Sequence, residues 1–281
     1  IWDRARMVSL LREALPITYL LAIGVTYFTI DGILLSKLAT FEQVGAYNFS
    51  YRTVGAATIV ATSISNVLAA RLSAVAAESP ERFARAVSRA LRFTGLVAAP
   101  FAAFVTPIAP DIIRFLGTDA MVPLARTPMS LLAVAIAIGM LSGVLSTAVI
   151  ACYRQGVLVR LNTVTLGINI LLNVILIPRY QATGSAIALV ITEALGFAVV
   201  LFVLAKRTEG SFPLRAFALL VVPILVCLGI GEILVDTQWV IRLAAMCVVY
   251  GAVVLTLRIT TIDELRELTK RRVRADQNAN A

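Results

Sequence analysis

The sequence predicts an all-α integral membrane protein of eight transmembrane helices with both termini in the cytoplasm. Three observations carry that prediction. The composition is 59% hydrophobic and 15% charged over 281 residues, with a mean hydropathy of +0.90; soluble domains have about 45–50% apolar and about 25% charged residues. Eight apolar stretches approach or exceed the roughly 20 residues that a helix needs to cross a bilayer. The basic residues alternate from loop to loop, as the positive-inside rule requires of an even number of spans.

The spans fall at 14–38, 44–75, 91–116, 123–153, 157–177, 183–205, 212–234 and 238–257. The second and fourth are longer than a bilayer demands, and their surplus reads as tilt or interfacial helix. Pro100 and Pro223 mark kinks inside the third and seventh spans, where neighbouring helices can satisfy the freed backbone groups. With the N-terminus inside, nineteen of the 25 basic residues lie in cytoplasmic segments and five outside, while Arg52 lies within a span. Two cytoplasmic segments look interfacial. At 79–92, Ser79 and Pro80 start a helix, with Arg82, Arg85, Arg89 and Arg92 on one face and Phe83, Val87 and Leu91 on the other, the pattern of a basic amphipathic helix on a membrane surface. In the tail at 259–281, Thr261 and Glu264 form a capping box ahead of Lys270-Arg271-Arg272. This charge is topogenic and suits anionic lipid.

Several chemistries are excluded. The chain has no histidine, which removes Ser-His-Asp hydrolysis, Cys-His nucleophiles and His-ligated zinc or haem. Cys152, Cys227 and Cys247 lack metal-ligand spacing and read as small buried apolar residues. There is no phosphate-binding glycine loop, no carboxylate pair within one loop and no metal cluster. No cofactor and no nucleic-acid partner is implied. The outer loops are too short to host an active site, so a transporter fits better than an enzyme.

Charged and polar groups within spans are costly and mark helix interfaces or watery paths. Asp31 lies about 13 Å, and Arg52 about 12 Å, from the outer ends of their antiparallel spans, so the two are expected to pair. Asn48, Arg52, Gly55, Ile59, Thr62 and Asn66 form one helical stripe on the second span. Gly24, Tyr27 and Asp31 share a face of the first span, and Asn162, Asn169 and Asn173 a face of the fifth. Glu193 lies about 15 Å into the sixth span, near the depth of Asn169. Two readings stand. These residues line a polar cavity in the outer half of the bundle, or they are an ion pair and amide glue between helices. The asparagines suit the second reading better, and Asp31 and Arg52 the first. Gly139, Gly143 and Gly196 read as helix-packing contacts.

A family resemblance rests on Arg12-Glu13-Ala14-Leu15-Pro16, on the stretch from Asp31 to Leu38 followed by Val44-Gly45-Ala46-Tyr47-Asn48, on Asn169 and Asn173 ahead of Pro178 and Tyr180, and on Gly184-Ser185-Ala186-Ile187-Ala188 followed by Thr192-Glu193. Over residues 10–205 these resemble the C-terminal half of the polysaccharide flippases that move O-antigen and other lipid-linked oligosaccharides, in the multidrug/oligosaccharidyl-lipid/polysaccharide exporter superfamily. The resemblance implies a six-helix bundle at 14–206 and two extra helices at 207–258, with 1–13 continuing from an absent N-terminal bundle. It implies export of undecaprenyl-diphosphate-linked oligosaccharide across the bacterial cytoplasmic membrane by alternating access, coupled to an ion gradient. The implied partners are that substrate, membrane lipids, the missing bundle or a partner polypeptide, and glycan polymerisation machinery. Asp31 and Arg52 match the region of the family's charged cavity residues, and Glu193 its acidic position after the Gly-x-Ala motif. The chain starts at Ile1, and one bundle cannot enclose a cavity that forms between two. The substrate path is therefore expected to involve Tyr27, Asp31, Asn48, Arg52, Asn66, Asn169, Asn173 and Glu193. Competing readings are a multidrug or lipid II exporter of the same superfamily, a membrane-embedded glycosyltransferase, polymerase or acyltransferase, and a non-transporting scaffold.

Overall fold

A computed structural model describes residues 4–76, 78–152, 155–207 and 214–256. Among these residues the chain is helical throughout, with no strand. The elements are α1 (Arg4–Leu38), α2 (Phe41–Gly55), α3 (Thr58–Ala76), α4 (Pro80–Leu116), a 3-10 turn (Asp119–Met121), α5 (Val122–Ala151), α6 (Gln155–Arg207), α7 (Leu214–Ile233) and α8 (Trp239–Thr256). Four stretches are long and apolar enough to cross a membrane: Pro80–Leu116, Asp119–Ala151, Gly156–Lys206 and Trp239–Thr256. The capping box and basic run of the tail lie outside the described residues.

Local chemistry sets the helix starts. Thr40 caps α2, its side chain accepting from the Gln43 backbone N–H. Ser79 caps α4 as its position predicts, accepting from the Arg82 N–H at 3.2 Å, with Pro80 in the first turn. The Glu81 carboxyl is held below the usual carboxylate range by its own backbone N–H and then by the Ser79 hydroxyl. The segment expected to lie on the membrane surface is thus the beginning of α4 itself. Phe83, Val87 and Leu91 are buried in a cluster with Leu72, Val144, Leu145 and Leu204. Protein rather than lipid covers this apolar face, because α3, α5 and α6 run alongside it.

Two further long stretches are broken. The second span divides at Ala56–Ala57 into α2 and α3. α6 contains Gln181 at φ 54° and ψ −133°, a non-helical residue. Asn169 and Thr192 would be about 34 Å apart along a straight helix, yet the Asn169 amide reaches the Thr192 hydroxyl. The two halves therefore fold back on each other at Gln181. Gly184 permits the closeness, since a Cβ there would fall 2.5 Å from the Leu176 carbonyl oxygen. The expected spans at 157–177 and 183–205 are these two arms.

α5 is the central element, packed against α2, α3, α4 and α6. One apolar core gathers Leu35, Tyr47, Val54, Ile113, Met129, Leu132 and Ile177; the other is the cluster around Phe83 and Val87. Along α5 the first core ends at Ile136 and the second begins at Val144. α7 and α8 attach to the outside of α4. Gly231 of α7 lies against Pro107, where a Cβ would come within 2.5 Å of the proline ring. Arg242 of α8, 3% exposed, forms an ion pair with Asp111 of α4. Of the cysteines only Cys227 is buried; Cys152 is partly covered and Cys247 is exposed on α8.

Candidate functional site

The structure separates the expected path residues into two groups. Asp31 on α1 is 2% exposed, and Asn169 and Asn173 on α6 are fully buried. Helical spacing stacks Asn169 and Asn173 on one face of the first arm of α6, and that face packs against α1. The Tyr47 hydroxyl donates to Asp31 Oδ2 at 2.9 Å, and Asn173 Nδ2 donates to Asp31 Oδ1 at 2.8 Å. Asn173 Nδ2 also approaches the Asn169 carbonyl at 2.9 Å and Asn169 Oδ1 at 3.0 Å. From Asn169 the network continues to Thr192, whose hydroxyl lies 2.7 Å from that of Tyr27. Tyr27 is in turn hydrogen-bonded to Glu193. Five of the expected residues, Tyr27, Asp31, Asn169, Asn173 and Glu193, thus share one chain of contacts.

Asn48, Arg52 and Asn66 form the other group. They are exposed on α2 and α3, and Thr62 is exposed between them. The expected ion pair of Asp31 with Arg52 does not form. Residue counting places them at one depth, but Asp31 turns into the bundle and Arg52 turns away from it. Asn48 and Arg52 before the break at Ala56–Ala57, and Thr62 and Asn66 after it, are each exposed, and Thr62 also borders a cavity inside the bundle.

Sequence reasoning missed Tyr47, whose ring stacks on Tyr51 with centroids 6.2 Å apart. Two tyrosines four residues apart in an apolar span were the available signal. It also gave Thr192 no role of its own. Two of the glycines read as packing contacts lie close against a neighbouring helix: a Cβ on Gly139 would sit 3.3 Å from Glu193 Oε2 on α6, and one on Gly143 3.3 Å from Ser65 Oγ on α3.

Chemically, the Asp31 site is a buried carboxylate held by neutral donors. No ion pair to Asp31 occurs among the described residues. Asn173 Nδ2, with two protons, faces three oxygens within 3.0 Å, while Asn173 Oδ1 has no hydrogen-bond partner. Rotating that amide would turn a fourth oxygen toward the cluster. An all-oxygen set of this kind suits a small hard cation or a proton. Among the described residues no group of three or more His, Cys, Asp or Glu could hold a metal ion.

The long apolar helices, with many large apolar side chains left exposed on their outer faces, mark a multi-pass membrane protein. The chain belongs to the MatE family, whose model matches residues 16–175. It is similar to a protein of Haloferax volcanii described as the probable flippase AglR, with 24% identity over 204 residues, 68% of this chain and 40% of that protein. Its fold is similar to the lipid II flippase MurJ in an inward closed conformation, with a TM-score of 0.74 and 16% identity over 90% of this chain and 55% of that one. It is also similar to an outward-facing multidrug resistance MATE family transporter of the MOP superfamily, with a TM-score of 0.59 and 15% identity over 86% of this chain and 63% of that one. The chain therefore spans less than two thirds of the length of each of these relatives.

Proposed function

We propose that this chain is one bundle of a flippase that exports undecaprenyl-diphosphate-linked oligosaccharide across the bacterial cytoplasmic membrane by alternating access, driven by an ion gradient. The observation that carries the reading is Arg52. It is exposed in the apolar stretch 44–75, has no acidic partner among the described residues, and sits on a polar stripe with Asn48 and Asn66. A charge so placed needs an anion or a watery path. A diphosphate suits a guanidinium fork, and the polyprenyl tail can remain in lipid. Membership of the MatE family and similarity to two proteins described as flippases support this reading.

In this proposal α1, the α2–α3 pair, α4, α5, the two arms of α6, α7 and α8 supply eight spans, with both termini in the cytoplasm. A second bundle, from a longer chain or a partner polypeptide, covers the Arg52 stripe, and rocking of one bundle against the other provides alternating access. The Asp31 network holds the coupling cation, and glycan polymerisation machinery takes up the exported product. A second reading, a multidrug exporter, draws on a different observation: the interior cavity beside Glu193 has tyrosines in its wall, a lining that favours organic cations.

The test is Arg52→Ala in the natural full-length protein at normal expression. We expect surface polysaccharide to fall at least tenfold while lipid-linked precursor accumulates, with Arg52→Lys intermediate. Unchanged surface polysaccharide in Arg52→Ala overturns the flippase role and favours the multidrug reading.

A further inference from the structure

Between the two apolar cores lies a cavity of about 410 Å³. Its walls come from α1, α2, α3, α5 and both arms of α6. Glycine creates the space. Gly24, Gly139, Gly143 and Gly196 all face it and withhold the side chains that would otherwise fill it. Among the described residues the lining is largely apolar, with hydroxyls from Thr58, Thr62, Ser65 and Ser146 set into it and one charged residue, Glu193. The titratable groups facing Glu193 are Tyr27 from α1 and Tyr51 from α2; the lining residues from α3 and α5 are uncharged.

Asp31 has the opposite situation. At 2% exposure it has no direct opening to solvent, although a coupling ion must reach it. The cavity comes close to it. Tyr27 and Thr192 both line the cavity, their hydroxyls are 2.7 Å apart, and Thr192 is bonded to Asn169 on the Asp31 side.

Resting on the ion-coupled reading above, we propose that this cavity is the vestibule through which a small monovalent cation reaches Asp31, with Glu193 as its first station and the Tyr27–Thr192 hydroxyl pair as the gate. The chemistry is that of a hard, singly charged cation: sodium or a proton. Tyr27 has one hydroxyl proton and two neighbours able to accept it, the Glu193 carboxylate and the Thr192 oxygen. While Glu193 is charged and empty, its carboxylate is the stronger acceptor, and Tyr27 is held against it. A cation or proton arriving at Glu193 removes that hold. The Tyr27 proton then turns to Thr192, and the hydroxyl pair rearranges between the vestibule and the inner oxygens. The energetic cost of a lone buried carboxylate is thereby relieved in two steps rather than one.

The test follows cation uptake by the natural full-length protein, with radiolabelled sodium in one arm and a pH-indicating dye in the other; the arm that responds identifies the cation. Glu193→Gln removes the first station, and Gly139→Val fills the space beside it. We expect each to slow association at least tenfold while the amount bound at saturation stays at the wild-type level. Tyr27→Phe should speed both association and release. Asp31→Asn should abolish uptake. If Glu193→Gln and Gly139→Val, with melting temperatures near wild type, both load at the wild-type rate while Asp31→Asn is silent, the vestibule is wrong and the coupling reading stands. If Asp31→Asn loads like wild type, or if neither cation binds to the wild-type protein, the coupling reading itself falls. If Glu193→Gln fails to fold, the rate of Gly139→Val decides alone.

Discussion

Asp111 and Asp31 are both carboxylates in long apolar helices, and they are neutralised in different ways. Asp111 has Arg242, a cation of its own, buried at 3% exposure on the neighbouring α8, and a second arginine, Arg114, at 3.5 Å. Asp31 is met by neutral donors, the Tyr47 hydroxyl and the Asn173 amide, and by no cation among the described residues. A carboxylate with its own arginine is complete, and it fastens α8 to α4. A carboxylate held by neutral groups alone keeps its charge unbalanced, and that is the condition for binding a cation reversibly. The difference shows that burial of a charge does not by itself mark a functional site. What matters is whether the chain supplies the counter-charge.

The sharpest way to break this comparison is to neutralise each acid in turn and read transport and stability separately. Asp31→Asn should lower transport by the full-length protein roughly a hundredfold, a barrier change of about 2.7 kcal/mol, while its melting temperature stays level or rises because an uncompensated buried charge has been removed. A transport rate within threefold of wild type would make Asp31 merely structural. Arg242→Met should do the reverse. It leaves Asp111 without its main partner and should cost about 3 kcal/mol of stability, seen as a lower melting temperature in detergent, with transport per folded molecule unchanged. Pairing it with Asp111→Leu should restore most of the loss, since an apolar pair can replace a buried ion pair. Tyr47→Phe should have the smallest effect. It deprives Asp31 of one of its donors and should cost about 1–2 kcal/mol, measured by thermal unfolding at fixed detergent and salt. It should also tighten cation uptake modestly, because the remaining oxygens gain less competition from the hydroxyl. An unchanged melting temperature would mean that Asp31 finds another donor.

Much of the fold was legible because lipid exposure is a property of composition. The arms of α6 fall where two apolar runs flank 178–182, and Ser79-Pro80 announces the start of α4 by capping chemistry alone. The break at Ala56–Ala57 was not legible. No proline marks it, and Gly55 beside it reads equally well as a small residue on the polar stripe. The basic face at 82–92 was read correctly as amphipathic, but a periodic pattern does not say whether lipid or protein covers its apolar side.

The candidate site divides the same way. Residue types and depth came from the chain: Asp31, Asn169, Asn173 and Glu193 stand out because polar groups are expensive in an apolar run. Depth is a count of residues at 1.5 Å each, and it placed Asp31 level with Arg52. It carries no information about the direction a side chain faces, which turns by about 100° per residue. That direction was fixed by packing. α6 folds back at Gln181 and brings Asn173, 142 residues distant, against Asp31, while Arg52 is left facing outward. The sequence alone thus determined which residues are too polar to lie in lipid without a reason. Only the tertiary structure decided which of them meet, because helix rotation and long-range contact depend on how all the helices fit together.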